Sequence, residues 1–195
     1  MKENNWFDPF YIQSHLNEEE SNIQKNVRDF CNNELKPTVV ERNRKNEFDK
    51  ELYTKLGSLG DLGQTVKTHG GSGTSNLAYG LVAYEFEKID SSYRSSISVQ
   101  SSLVIHPINE FGSQEQKDKY LPPLIKGEKI GCFGLTESEA GSDPTSMKTS
   151  FKKTKDGYIL NGSKNWITNA PIADIFIIWA IEENKDHKSI KGVII

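Results

Sequence analysis

The sequence lacks the marks of a secreted, membrane-spanning or nucleic-acid-binding protein. Its 195 residues include only two cysteines, Cys31 and Cys132, far apart and outside any Cys-x-x-Cys pattern. They read as reduced thiols of a reducing compartment, not as a disulfide framework. The four histidines, His15, His69, His106 and His187, show no metal-ligand spacing, so no metal site is expected. No apolar run approaches the ~20 residues that cross a bilayer, which argues against membrane insertion. The opening residues up to Gln13 have no basic region followed by an apolar one, and they are too acidic for a transit peptide. The expected location is cytoplasmic, or the mitochondrial matrix if the native N-terminus is another. A net charge of −3 gives no basic field for nucleic acid.

What is present is enough to fold. Nine Phe and three Trp can fill a core although 26% of residues are charged. Residues 17–36 have helical periodicity, with Asn17 as N-cap, three glutamates in the first turn and Ile23, Val27, Phe30 and Cys31 on one face. Residues 48–59 repeat the pattern, broken up by Gly57, Gly60 and Gly63. Ser75 can cap a helix over 76–89 with Leu77, Leu81, Tyr84 and Ile89 on its apolar side. Another helix is predicted over 93–104, interrupted by His106-Pro107, and a capping box at Ser113 and Gln116 starts one that Pro122-Pro123 disturbs. From residue 129 short apolar runs alternate with turn residues. Asn161-Gly162 predicts a hairpin turn, residues 174–181 a buried strand, and Lys191 onward a further strand that the chain leaves unfinished. The expectation is a multi-domain fragment: an all-helical domain over 8–128, then the start of a β-domain over 129–195.

The chemistry concentrates between Cys132 and Ser146, where Gly134-Leu-Thr-Glu-Ser-Glu-Ala-Gly-Ser-Asp143 follows a short apolar run. Thr136, Ser138, Ser142, Thr145 and Ser146 supply hydroxyls, and Gly141 would permit close backbone approach or a positive φ. Such donors could stabilise the charge that a reduced flavin gathers near N1, or cradle a pyrophosphate. On chemistry alone, an ordinary loop rich in turn formers would look the same. The string resembles the signature G-L-T-E-x-x-x-G-S-D of the acyl-CoA dehydrogenase family, with every fixed position present. A second family element, Trp166-Ile167-Thr168-Asn169, follows in order.

The resemblance implies the fold of that family: a helical N-terminal domain, a middle β-barrel domain seen here in part, and a C-terminal helical bundle missing from this chain. It implies FAD as cofactor. Phe133, Gly134, Leu135, Thr136, Gly141 and Ser142 would line it, with Thr136 donating to the pyrimidine end. Trp166, Ile167, Thr168, Asn169 and Ala170 would form the other half, Trp166 packing on the ring and Thr168 bonding near N5. Ser142 would contact flavin or CoA. Ala170 stands where glutaryl-type members often carry Ser, which a backbone contact would survive.

A substrate preference is implied by Tyr93-Arg94-Ser95 followed by Ser-Val-Gln-Ser-Ser-Leu and His106-Pro107, which resembles the glutaryl-CoA dehydrogenase branch. Guanidinium offers two parallel N–H donors to a carboxylate and stays charged when desolvated. Arg94 and Ser95 would bind the distal carboxylate of glutaryl-CoA, with Glu87 orienting it or tuning Arg94. Taken alone, Arg94 would be a solvated or ion-paired arginine. The implied reaction removes the α-proton, passes the β-hydride to flavin, and releases carbon dioxide to give crotonyl-CoA; electrons leave through an electron-transfer flavoprotein. The family's base is a Glu in the missing domain, so Glu85, Glu87, Glu137 and Glu139 receive no such role. The same missing part would supply most of the homo-oligomer interface. The rival expectations are a dehydrogenase for another short or branched acyl-CoA, and a non-catalytic binding fragment.

Overall fold

In the computed structural model, which describes residues 8–185 and 189–195, seven α-helices precede five β-strands. His187 lies outside the described residues. Helix α1 (Glu18–Phe30) begins at a closed capping box: Asn17 Oδ1 accepts the Glu20 N–H at 2.8 Å, and Glu20 Oε2 accepts the Asn17 N–H at 3.1 Å. It runs on through a wider π-helical turn (Cys31–Leu35) before α2 (Val39–Lys45) and α3 (Glu51–Leu59). Gly57 does not break α3. It lies inside the helix because an added Cβ would stand 2.1 Å from the Lys126 carbonyl oxygen of the chain crossing there.

Helix α4 (Asn76–Glu87) starts at Ser75, whose Oγ accepts the Ala78 N–H at 3.0 Å. Its buried face differs from the expected one. Ala78, Leu81, Val82, Glu85 and Phe86 are buried, whereas Leu77 and Tyr84 are exposed. The packed stripe contains a carboxylate, which hides it from a search for apolar periodicity. Glu85 is tolerated there because Gln24 Nε2 (2.9 Å), Arg28 Nη2 (3.0 Å) and Lys88 Nζ (3.1 Å) all reach it.

Helix α5 (Ser91–Ser98), a π-helical turn (Val99–Ile105) and α6 (His106–Phe111) follow without a break. The expected interruption at His106-Pro107 is therefore absent. The wide turn has already left the regular i→i−4 ladder; the His106 N–H donates to Ser101 O, so Pro107 removes a donor where winding changes anyway. Pro122 and Pro123 likewise lie inside α7 (Gln114–Ile125). The carbonyls they orphan belong to Asp118 and Lys119, both exposed to water.

The strands are β1 (Gly131–Gly134), β2 (Ser150–Thr154), β3 (Gly157–Asn161), β4 (Ile175–Glu182) and β5 (Lys191–Ile194). β4 is central: β1 runs parallel along its first half, β2 touches its far end, and β5 runs antiparallel on its other edge. The hairpin joins β2 to β3 through Lys155 and Asp156, not through Asn161-Gly162. Asn161 ends β3, and Gly162 (φ +150°) turns the chain across Thr149, whose Oγ1 would lie 2.4 Å from an added Cβ.

Helices and sheet share one core, in which Leu56, Phe86, Ile105 and Leu124 meet Ile130, Ile175 and Ile177. Gln100, fully buried in the π-helical turn, bolts the two parts together. Its Nε2 donates to Leu124 O and Lys129 O, both at 2.9 Å, and its Oε1 accepts the Gly131 N–H at 2.8 Å. Among the described residues no helix is long and apolar enough to cross a membrane, and no cluster of side chains could hold a metal ion.

Candidate functional site

The two motifs that lie some thirty residues apart in sequence meet where β1 ends. The Asn165 N–H donates to Thr136 O at 2.9 Å. Lys164 Nζ reaches under the same segment to Leu135 O (2.9 Å) and Glu137 Oε1 (2.8 Å). Glu137 also takes the N–H groups of Lys148 (2.7 Å) and Thr149 (2.9 Å). Burial pushes the Glu137 carboxyl up, but the bonds from Lys148, Lys164 and Thr149 outweigh it and hold it at about 2. The fixed Glu of the first motif is thus a knot that joins three segments. Lys164 and Thr149, its partners, carried no signal in the sequence.

Trp166 is 94% exposed and sits at φ +60°. A non-glycine residue in the left-handed region costs about 1 kcal/mol or more, and a bare indole forgoes burial worth more still. Covering one indole face, roughly 100 Å², would contribute about 2.5 kcal/mol. Thr136 and Thr168 are half-buried, and among the described residues their hydroxyls and backbone N–H groups find no partner. An uncovered aromatic face bordered by unpaired donors suits a flat ring with a polar edge.

The remaining motif residues are placed differently. The Phe133 ring packs edge-on against Trp179 at 5.8 Å, on the sheet face turned to the helices. Gly134 is buried beneath Ile178, and Leu135 is half-buried above Lys164. Gly141 does not adopt a positive φ, contrary to one expectation for it; it lies in open space, with no protein atom within 4 Å of an added Cβ. Ser142 is exposed. Ile167 O accepts the Ala170 N–H at 3.2 Å, opening the short 3-10 turn Ala170–Ile172. The Asn169 side chain turns inward, with Nδ2 3.2 Å from both Ser96 O and Gly131 O.

That inward bond draws α5 to the site. Arg94 and Ser95 precede Ser96 by two residues and one, and both are half-buried. Arg94 Nε donates to Glu87 Oε2 at 2.7 Å, and among the described residues its Nη groups have no partner. The bond from Arg94, then that from Ser91, holds the Glu87 carboxyl below the usual range. The pair orients the guanidinium and leaves its outer edge for another acceptor. Glu85, Glu87, Glu137 and Glu139 each bind a cationic side chain, so none is a free base. Cys132 is fully buried and burial pushes its thiol to about 11, which makes it inert.

Both halves of this arrangement have counterparts among known proteins. The model of the acyl-CoA dehydrogenase N-terminal domain matches residues 17–128, and that of the middle domain matches 132–195. This chain belongs to the acyl-CoA dehydrogenase family. It is 40% identical over 182 residues to a short-chain specific acyl-CoA dehydrogenase of Clostridium acetobutylicum, covering 92% of this chain and 48% of that protein. It is 41% identical over 168 residues to the mitochondrial isovaleryl-CoA dehydrogenase of Bos taurus, covering 85% of this chain and 39% of that protein. Its fold superposes with a TM-score of 0.89 on a glutaryl-CoA dehydrogenase from Mycobacterium smegmatis in complex with FADH2, at 39% identity, covering 95% of this chain and 47% of the other. The chain thus spans about half the length of the relatives it matches, or less. The N-terminal match covers the helical part of the chain and the middle-domain match its β-sheet part.

Proposed function

We propose that this chain forms the helical and β-sheet parts, residues 8–128 and 129–195, of an FAD-dependent acyl-CoA dehydrogenase that oxidises and decarboxylates glutaryl-CoA. The residues fit FAD: the bare indole of Trp166 and the unpaired donors of Thr136 and Thr168 suit an isoalloxazine face and its polar edge. FAD, when bound, supplies the acceptor for the hydride leaving the substrate's β-carbon. Ser142 and Gly141 border the open end of the same loop, where a pantetheine or pyrophosphate would pass.

One observation carries the choice of substrate. Arg94 keeps its Nη donors free while Glu87 fixes its Nε, on a helix that Asn169 joins to the flavin-side loop. A guanidinium so held binds a carboxylate, and its charge would be costly beside a plain alkyl chain. Ser95 adds a hydroxyl beside it. Glu85, Glu87, Glu137 and Glu139, the carboxylates beside the two motifs and Arg94, each hold a cationic side chain, and in this reading the base comes from another part of the protein. An electron-transfer flavoprotein as oxidant and a homo-oligomeric assembly complete the reading, in the cytoplasm or the mitochondrial matrix. The competing reading, a short or branched acyl-CoA, rests on the names of the relatives at 40% and 41% identity.

Steady-state rates of the full-length protein with glutaryl-CoA and butyryl-CoA, before and after Arg94→Ala, decide between the two. The expected result is a preference for glutaryl-CoA that Arg94→Ala lowers by about 100-fold in kcat/KM, the ~3 kcal/mol of a charge-assisted pair. A preference for butyryl-CoA that the substitution leaves alone would refute the assignment.

A further inference from the structure

The geometry points to Asn169 as a positioning residue that fixes the substrate-clamping helix against the flavin-side loop, and not as a ligand of the cofactor. The inference rests on the reading just given of Trp166, Thr168 and Arg94.

Asn169 is buried, at 8% exposure, and held at φ +70°. Its amide group is shared between two backbone carbonyls from distant elements: Ser96 O on α5 and Gly131 O on β1, each at 3.2 Å. The Ser96 carbonyl also accepts the hydroxyl of buried Tyr53, at 3.3 Å. Both acceptors adjoin proposed site residues. Ser96 follows Arg94 and Ser95; Gly131 opens the strand that leads to Leu135 and Thr136. The loop is fastened on both sides of the stretch from Trp166 to Thr168, with Lys164 adding its bonds to Leu135 O and Glu137 on the first side. At one end the Asn165 N–H donates to Thr136 O at 2.9 Å; at the other the Asn169 side chain makes its two bonds. Trp166, Ile167 and Thr168 are strung between them.

Two left-handed residues, Trp166 and Asn169, flank this short span. Strained backbone persists only where the surroundings over-determine it. Here the determinants are those two fastenings. Release of the second lets Trp166 and Thr168 relax, and it also removes the side-chain bond that ties the loop to α5. The face offered to the flavin and the distance from flavin to carboxylate clamp would then drift together. A misplacement of about 1 Å is enough to cost rate at a reacting centre.

Two substitutions separate the backbone from the side chain. Asn169→Gly keeps the left-handed conformation and deletes the clamp. Asn169→Asp keeps shape and size but sets an acceptor against two carbonyl oxygens. Full-length holoprotein of each would be compared for thermal stability, flavin dissociation constant, visible flavin spectrum, and kcat and KM for glutaryl-CoA, each alone and with Arg94→Ala. The expected outcome is at least tenfold weaker flavin retention with a shifted flavin band, and a tenfold or greater fall in kcat/KM. In the Arg94→Ala background the fall shrinks to threefold or less, because there is no clamp left to misplace. A loss of thermal stability alone, with flavin spectrum, flavin affinity and KM as in the parent, overturns the assignment, as do kinetic losses that simply multiply with those of Arg94→Ala. If the parent protein does not turn over glutaryl-CoA, the clamp reading fails, and the flavin affinity and spectrum of the two variants then decide the role of Asn169. If one variant does not fold, the other is read in the same way.

Discussion

Asp61 is a buried carboxyl with too few partners, and replacing it with Asn should stabilise the protein in a pH-dependent way. It lies just past α3, where its N–H donates to Leu56 O at 2.9 Å. Only 6% of it is exposed, and its Oδ1 accepts one side-chain bond, from Gln64 Nε2 at 3.1 Å. Burial, only partly offset by that bond, pushes its carboxyl from 3.8 up to about 7. The rise from 3.8 to about 7 corresponds to a ceiling of about 4 kcal/mol, at ~1.36 kcal/mol for each tenfold change in proton affinity. Because the folded value is raised, the stability that goes with the protonated form is complete below pH 4 and is lost as pH rises through 7. Asn is neutral throughout and keeps the acceptor for Gln64. Urea unfolding of parent and Asp61→Asn between pH 4 and 8 should show curves that diverge up to pH 7 and then run parallel, with the variant ahead by about 2 kcal/mol once relaxation has reduced the ceiling. The divergence alone tests the argument: a gap that does not change with pH would show that Asp61 is not charged against its surroundings.

Two further outcomes follow from the packing. Gln100→Leu should cost about 2–4 kcal/mol in chemical denaturation, since the buried Gly131 N–H and the Lys129 carbonyl lose their partner at about 1–3 kcal/mol each, while Leu124 O keeps the Gly127 N–H; a cost below 1 kcal/mol would mean that water takes the place of the amide. Gly57→Ala should lower stability by about 2 kcal/mol or more in the same assay, against the usual gain for Ala in a helix, because its Cβ would meet a backbone carbonyl at 2.1 Å; a gain in stability would show that α3 and the Lys126 turn do not press together.

Local chemistry was legible and long-range geometry was not. The caps at Asn17, Ser75 and Ser113 could be foreseen because each is settled within three residues. The run at 174–181 announced β4 by its apolar residues. The family motif was legible as a string, and so was the presence of Arg94. What the string hid was the work each residue does inside the protein. Glu137 appears as a fixed letter, but it binds segments eleven and twenty-seven residues away. Asn169 appears beside Thr168 as a further ligand, but its amide faces partners 73 and 38 residues distant. The hairpin was misplaced for a similar reason. Asn161-Gly162 has the right local chemistry for a turn, and the approach of Thr149, a tertiary event, gives that glycine another use.

The wide turn at Val99–Ile105 gives the long helix a memory of its length. A π turn differs from ordinary winding by a single extra residue. Arg94 and Ser95 lie before it; Pro107, Ile108 and the joint to α7 lie after it. Because the turn is wide, that residue is taken up without turning one half of the helix against the other by the ~100° that one residue of regular winding would add. Loss of one residue inside Val99–Ile105 would let the turn wind regularly with both faces kept, whereas the same loss between Arg94 and the turn would swing Arg94 to another side. In this helix, the place of a one-residue gap in an alignment decides whether the surface around Arg94 changes at all.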